Sequence, residues 1–140
     1  MLNFEHMMDG QTILDDGRVT LDVEGVFELA MRVLRQAGLS EEQAAPVARV
    51  IMAGERDGCH SHGLYRLPGC VETIRHPKFV RDAVPQISDV SAAAVRADAR
   101  FGYSLLAFDR ALPVLEAKAK AVGIAVLAIN NCFHFSALWP

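Results

Sequence analysis

Apolar positions in the first half of the chain recur every three or four residues. Val23, Val26, Phe27, Ala30, Val33 and Leu34 form one such face. The spacing predicts a helix that Thr20 caps and Gly38 ends. Ser40-Glu41-Glu42-Gln43 then has the form of a capping box, and a second helix follows through Val47, Val50 and Ile51 to about Asp57. Pro46 lies beyond its first turn and is expected to kink or delay it. Residues 58–66 break the period with glycine and polar side chains. Leu64, Leu67, Val71 and Ile74 restore it, with Pro68 as an expected bend and His76-Pro77 as the end.

The period then changes. Residues 77–90 read as an extended connector, 94–97 as a short strand and 99–102 as a turn. A helix is predicted over 104–121, with Leu106, Ala107, Leu112, Leu115 and Ala119 inward, Pro113 as an internal kink and Gly123 as the stop. The apolar run 124–129 reads as a buried strand, and 130–135 as the loop at its carboxyl end, where α/β ligand sites tend to lie. Residues 136–140 look like the start of another helix. Residues 1–19 show neither period and read as a loose leader.

The resulting expectation is an α/β chain in four stretches: the leader at 1–19, a helical segment at 20–76, a connector at 77–90 and the start of an α/β domain at 91–140. A helix followed by an apolar strand suggests partly parallel pairing. Two strands with an open edge are poorly stable alone, so the layer reads as a truncated piece of a larger fold.

Composition narrows the functional classes. The 140 residues are 51% hydrophobic and 22% charged, which excludes a disordered tail. Fourteen Lys and Arg against 17 Asp and Glu give a net charge of -3, against nucleic-acid binding through a basic surface. No apolar run approaches the roughly 20 residues of a membrane helix. Cys59, Cys70 and Cys132 are odd in number and scattered, which argues against a disulfide scaffold and suits a reducing cytoplasm. The N-terminal residues lack the basic and apolar regions of a secretory signal.

The densest chemistry is Cys59-His60-Ser61-His62-Gly63-Leu64-Tyr65-Arg66. Imidazole is the usual proton carrier near neutral pH, and a neighbouring hydroxyl can orient the ring or share its proton. If the segment is helical, Arg66 lies one turn beyond His62, placed to grip a carboxylate. These are parts for acid–base chemistry on a small carboxylate. Two other readings stand beside it: a polar cap on a kinked helix, and a zinc site from Cys59, His60 and His62. No further Cys or His pair sits at zinc-ligand spacing. A second cluster, residues 130–135, puts His134 at a strand end, as a ligand contact or as a surface or capping group between core Phe133 and Phe135. There is no GxGxxG after a strand and no GxxxxGK[ST], so a dinucleotide bound here would not use the Rossmann fingerprint.

Three stretches together resemble the malate/L-lactate dehydrogenase family of non-Rossmann NAD(P)-dependent oxidoreductases. They are Ser61-His62-Gly63-Leu64-Tyr65-Arg66-Leu67-Pro68-Gly69, Gly123-Ile124-Ala125-Val126-Leu127-Ala128-Ile129 and His134-Phe135-Ser136-Ala137-Leu138-Trp139-Pro140. The LYRLPG and ALWP runs are most similar to the branch that reduces cyclic imino acids. The resemblance spans residues 20–140. It implies that Ser61 is a relay serine, His62 the proton donor for reduction and Arg66 the holder of the substrate carboxylate. It implies that His134, Phe135, Ser136, Ala137, Leu138 and Trp139 belong to the nicotinamide site, with NADPH favoured over NADH. It also implies a small carboxylate substrate and a homodimer, beside the expectations from charge, run length and ligand spacing of no nucleic acid, no membrane and no metal. A 2-hydroxy-acid dehydrogenase is the neighbouring activity, and an inactive remnant or pairing module the alternative of another class. Ser136 stands where the family has Gly or Ala, and Cys132-Phe133 where it commonly has Ser-His. The family is more than twice as long, so most of a cofactor domain and the acidic partner of the relay are expected outside these residues.

Overall fold

The computed structural model describes residues 11–14 and 16–135. A short antiparallel pair of strands, β1 (Gln11–Ile13) and β2 (Val19–Leu21), forms where part of the loose leader was expected. Thr20 is therefore in a strand, and Asp22 caps the first helix, its Oδ1 accepting the Gly25 amide at 2.7 Å. Three-residue strands are too short to show a period of two against background, which hides this pair in the sequence.

Helix α1 (Val23–Gln36) closes at Gly38 in the left-handed region, with the Leu39 amide donating to Leu34 O and the Gly38 amide to Arg35 O. Helix α2 (Glu41–Arg56) packs against α1 as the other half of the helical hairpin and runs on through Pro46. One missing N–H does not interrupt it, because Ala44, Val47, Ala48 and Ile51 bury the same face. The capping box forms by half. Ser40 Oγ accepts the Gln43 amide at 3.4 Å, but the Gln43 side chain turns inward. It donates to Ala83 O at 2.7 Å and accepts from the Tyr103 amide at 3.0 Å. A buried amide is satisfied there, and α2 is tied to two distant loops.

After α2 come two 3-10 turns, His60–His62 and Leu64–Arg66, then α3 (Leu67–Arg75). Pro68 starts α3 rather than bending it, in the first turn where its missing N–H costs least. His76, extended before Pro77, ends it as expected. The expected connector contains a strand, β3 (Gln86–Ser91), antiparallel to β4 (Ala94–Asp98). Helix α4 (Ser104–Val122) ends at left-handed Gly123 and leads to β5 (Val126–Asn130), which pairs parallel with β4.

The sheet order is β3-β4-β5, and β5 is an edge. It is not the buried strand expected from its apolar run. Leu127 and Ile129 pack on the Val95, Ala97, Ala107 and Ala111 cluster, while Val126 is 61% exposed on the other face. A parallel strand reads as continuously apolar when both faces are covered, and the described residues cover only one. The larger core lies among α1, α2 and α3 and includes Leu34, Val47, Ile51, Ile74 and Tyr103. No described helix is long and apolar enough to cross a membrane.

Candidate active site

The end of α2 determines where the Ser-His turn points. Gly58 takes φ +71°, the Cys59 amide donates to Gly54 O at 2.7 Å and the Gly58 amide to Glu55 O at 3.1 Å. This closure reverses the chain, so the turn folds back on the helix that precedes it. Contact is close enough that a Cβ on Gly54 would meet His62 C and O at 2.8 Å. Glycine is needed there because the His62 backbone occupies that space.

Within the turn, Ser61 Oγ and His62 Nδ1 are 3.1 Å apart. With the serine donating, the imidazole carries its proton on Nε2. Cys59 Sγ lies 3.6 Å from the same Nδ1 and 3.7 Å from Ser61 Oγ. His60 points elsewhere, its Nδ1–H donating to Glu55 Oε2 at 2.6 Å. The zinc reading accordingly loses one of its three ligands to a carboxylate contact. Among the described residues no group of three or more His, Cys, Asp or Glu is placed to hold a metal.

Arg66 does not stand one α-helical turn beyond His62, because Gly63 separates two 3-10 turns. Its guanidinium instead lies over the ring of Phe135, 5.4 Å from the centroid. That contact joins two motifs that are far apart in the sequence. Stacking uses the face of the guanidinium and leaves its N–H edge for a planar carboxylate. Phe135 is buried in the larger core, so it forms a fixed floor under an exposed arginine.

His134 is placed by a different device. Beyond β5 the chain keeps pairing with the turn after β4. The Ala99 amide donates to Asn130 O, the Phe101 amide to Asn131 O, the Ser104 amide to Phe133 O and the Phe133 amide to Gly102 O. Arg100, Phe101 and Asn131 all take positive φ in this stretch, and Asp98 Oδ1 accepts from the Arg100 amide and Asn131 Nδ2. These bonds hold the Asp98 carboxyl below its ordinary range. His134 Nδ1 ends 3.0 Å from Ser104 Oγ at the start of α4.

His134 also borders a cleft of about 630 Å³ between α2 and α4, walled by Met52, Leu105, Phe108 and Ile129. Ser61, His62 and Arg66 do not line it. The cations at its rim are paired, Arg49 with Asp109 and Arg56 with Asp57. The structure thus joins Arg66 to Phe135, holds Ser61 and His62 within hydrogen-bond reach of each other, and places His134 against Ser104 at the cleft between α2 and α4. Ser136, Ala137, Leu138 and Trp139 lie outside the described residues.

Sequence reasoning missed Glu55 and Gly54. Asp57-Gly58 directly after an amphipathic run is a helix-stop signal, and it would have turned attention to the residues one turn earlier.

A Ser–His proton pair beside an arginine, at the junction of a helical hairpin and a partly parallel α/β layer, is equipment for acid–base chemistry on a carboxylate. Comparison with known proteins gives the lineage. The chain belongs to the malate/L-lactate dehydrogenase family, whose model matches residues 21–140. It is 48% identical over 122 residues to the Δ1-pyrroline-2-carboxylate reductase of Pseudomonas fluorescens, covering 87% of this chain and 36% of that protein. It is likewise 48% identical to the Δ1-pyrroline-2-carboxylate/Δ1-piperideine-2-carboxylate reductase of Pseudomonas aeruginosa, over the same shares. The crystal structure of Δ1-piperideine-2-carboxylate reductase from Pseudomonas syringae superimposes with a TM-score of 0.82 at 38% identity, over 86% of this chain and 36% of that one. The chain thus spans little more than a third of the length of these relatives.

Phe135 follows His134 directly and touches Arg66, so the segment beyond β5 reaches the arginine that follows the Ser-His turn.

Proposed function

We propose that this chain supplies the proton-transfer and carboxylate-binding part of an NAD(P)H-dependent reductase of small cyclic imino acids. The observation that carries the reading is the Ser61–His62 pair at 3.1 Å with Arg66 held on Phe135 nearby. The named activities of the relatives support the same substrate class.

A bound nicotinamide cofactor supplies a hydride to the C=N carbon. Arg66 holds the substrate carboxylate through its N–H edge, which fixes the carbon that accepts the hydride. His62 Nε2–H gives its proton to the imine nitrogen, so the reduced ring leaves as a secondary amine. Ser61 holds Nδ1 and steadies the ring in the tautomer that donates. NADPH in preference to NADH, a homodimer and a cytoplasmic setting belong to the same reading.

The same residues would serve a 2-keto acid, with C=O replacing C=N, and the family's own description names malate and lactate. A competition assay separates the two. The enzyme carrying this chain is offered Δ1-pyrroline-2-carboxylate against pyruvate or oxaloacetate, with NADPH and with NADH. The reading expects the imino acid with NADPH to have the highest kcat/KM. A preference for the keto acids would transfer the assignment to the hydroxy-acid dehydrogenases.

A further inference from the structure

Glu55 stands near the end of α2, and both its carboxylate oxygens are committed to the segment that carries the Ser61–His62 turn. Oε1 accepts the Leu64 amide at 2.7 Å. Oε2 accepts His60 Nδ1–H at 2.6 Å. The two contacts fall on either side of Ser61 and His62 in the sequence. The side chain is 22% exposed, against 74% for His60, so the carboxylate sits mostly inside the fold of the turn. A partly desolvated carboxylate with two donors makes stronger bonds than a neutral acceptor would.

The glycine between the two 3-10 turns exists for the same contact. A Cβ on Gly63 would lie 2.1 Å from Glu55 Oε1 and 2.5 Å from its carboxyl carbon. The backbone passes over the carboxylate with no room for a side chain. Glu55 itself stands on α2 one residue after Gly54, where the helix touches the His62 backbone. Helix, carboxylate and turn are therefore one packed unit.

We propose that Glu55 is the positioning residue of the Ser61–His62 pair, bracing the turn from both ends so that the hydroxyl stays on Nδ1 of the imidazole. The proposal rests on the functional reading above for its purpose. Its geometry is tested separately.

The test is NMR of the histidine rings and backbone amides in the 140-residue chain. Parent, Glu55→Ala, Glu55→Gln and Ser61→Ala are compared, with circular dichroism as the control for folding. In the parent, the His62 ring nitrogens are expected to show one tautomer, protonated on Nε2, and the Leu64 amide to be protected from exchange. Ser61→Ala should mix the tautomers while leaving the Leu64 amide protected. Glu55→Ala should mix them as well, and should speed Leu64 exchange about tenfold, the equivalent of one lost charge-assisted bond. Glu55→Gln keeps an acceptor for Leu64 and loses the charge, so it should retain the Nε2–H tautomer of His62 and most of the Leu64 protection.

A folded Glu55→Ala chain with the parent's His62 ring signals would overturn the proposal. Should that variant fail to fold, Glu55→Gln decides. There an NH2 group replaces the oxygen that faces His60, so a His60 Nδ1–H signal as protected as in the parent would show that Glu55 does not hold His60 and would overturn the brace. Loss of imine reduction as an activity, with these signals as expected, would overturn the functional reading and leave the brace standing.

Discussion

Two Ser–His pairs have nearly the same geometry and opposite origins. Ser61 and His62 are neighbours in the chain, 3.1 Å apart, on a turn folded back against α2. Ser104 and His134 are 3.0 Å apart and come from the start of α4 and the segment beyond β5. The first pair depends on local chemistry: a helix stop at Gly58, a close approach at Gly54 and Gly63, and a carboxylate from Glu55. The second depends on strand pairing that continues past β4 and β5 and brings distant residues together. A hydroxyl beside an imidazole is therefore no measure of role. The surroundings differ: the first pair stands four residues before Arg66, and the second borders a cleft whose arginines, Arg49 and Arg56, are paired with Asp109 and Asp57.

The largest expected effect strikes both pairs at once. Ile51 is fully buried in α2, the helix that both sites lean on. Ile51→Ala should cost about 2–5 kcal/mol of unfolding free energy, read by urea denaturation. It should loosen the His62 and His134 regions together.

Gln43→Ala separates them. It strands the Tyr103 amide and Ala83 O, which the side chain now satisfies. The loss should be about 1–3 kcal/mol. Faster amide exchange should appear around residues 83 and 102–104, with Leu64 unaffected. Equal loss of protection in both regions would contradict their independence.

Smaller still is Ser104→Ala, which removes one half-exposed bond at the start of α4. About 0.5–1.5 kcal/mol is expected in thermal or urea unfolding. Ser61→Ala should leave stability almost unchanged and alter turnover instead. The contrast between the two serines is the sharpest statement of the comparison.

The smallest effect is a pH dependence confined to the second region. The Arg100 amide and the Asn131 side chain hold the Asp98 carboxyl below its ordinary value. A carboxylate with a folded value below its unfolded one adds stability that is present above the ordinary aspartate range. That stability is lost as pH falls through the folded value. Comparing urea midpoints at about pH 3 and about pH 6 brackets the ordinary aspartate value. Asp98→Asn should shrink the difference between them slightly, and a larger difference would reverse the sign.

The same contrast explains what was legible in the sequence. Helices α1, α2 and α4 show their buried faces at helical spacing, and Gly38, His76-Pro77 and Gly123 mark the ends of α1, α3 and α4 by local backbone rules. Ser61, His62 and Arg66 were visible because they are close in the chain. The Arg66–Phe135 contact and the Ser104–His134 bond were not, since nothing local specifies a pairing between segments so far apart. Gln43 shows the limit of motif reading. Its spacing from Ser40 fits a capping box, but two buried backbone groups hold it more strongly than the Ser40 amide, which donates to Arg81 O instead. The β5 run misled for a related reason, because apolar composition reports the potential to be covered on both faces and not the cover itself.

The central claim is that His62 delivers the proton during reduction of a cyclic imino acid whose carboxylate Arg66 holds. It is tested most directly by steady-state reduction of Δ1-pyrroline-2-carboxylate with the parent enzyme, His62→Ala and Arg66→Ala. The account predicts a fall of about 10²–10⁴-fold in kcat for His62→Ala with KM little changed. Arg66→Ala should act mainly by raising KM. Undiminished kcat in a folded His62→Ala enzyme would contradict the account.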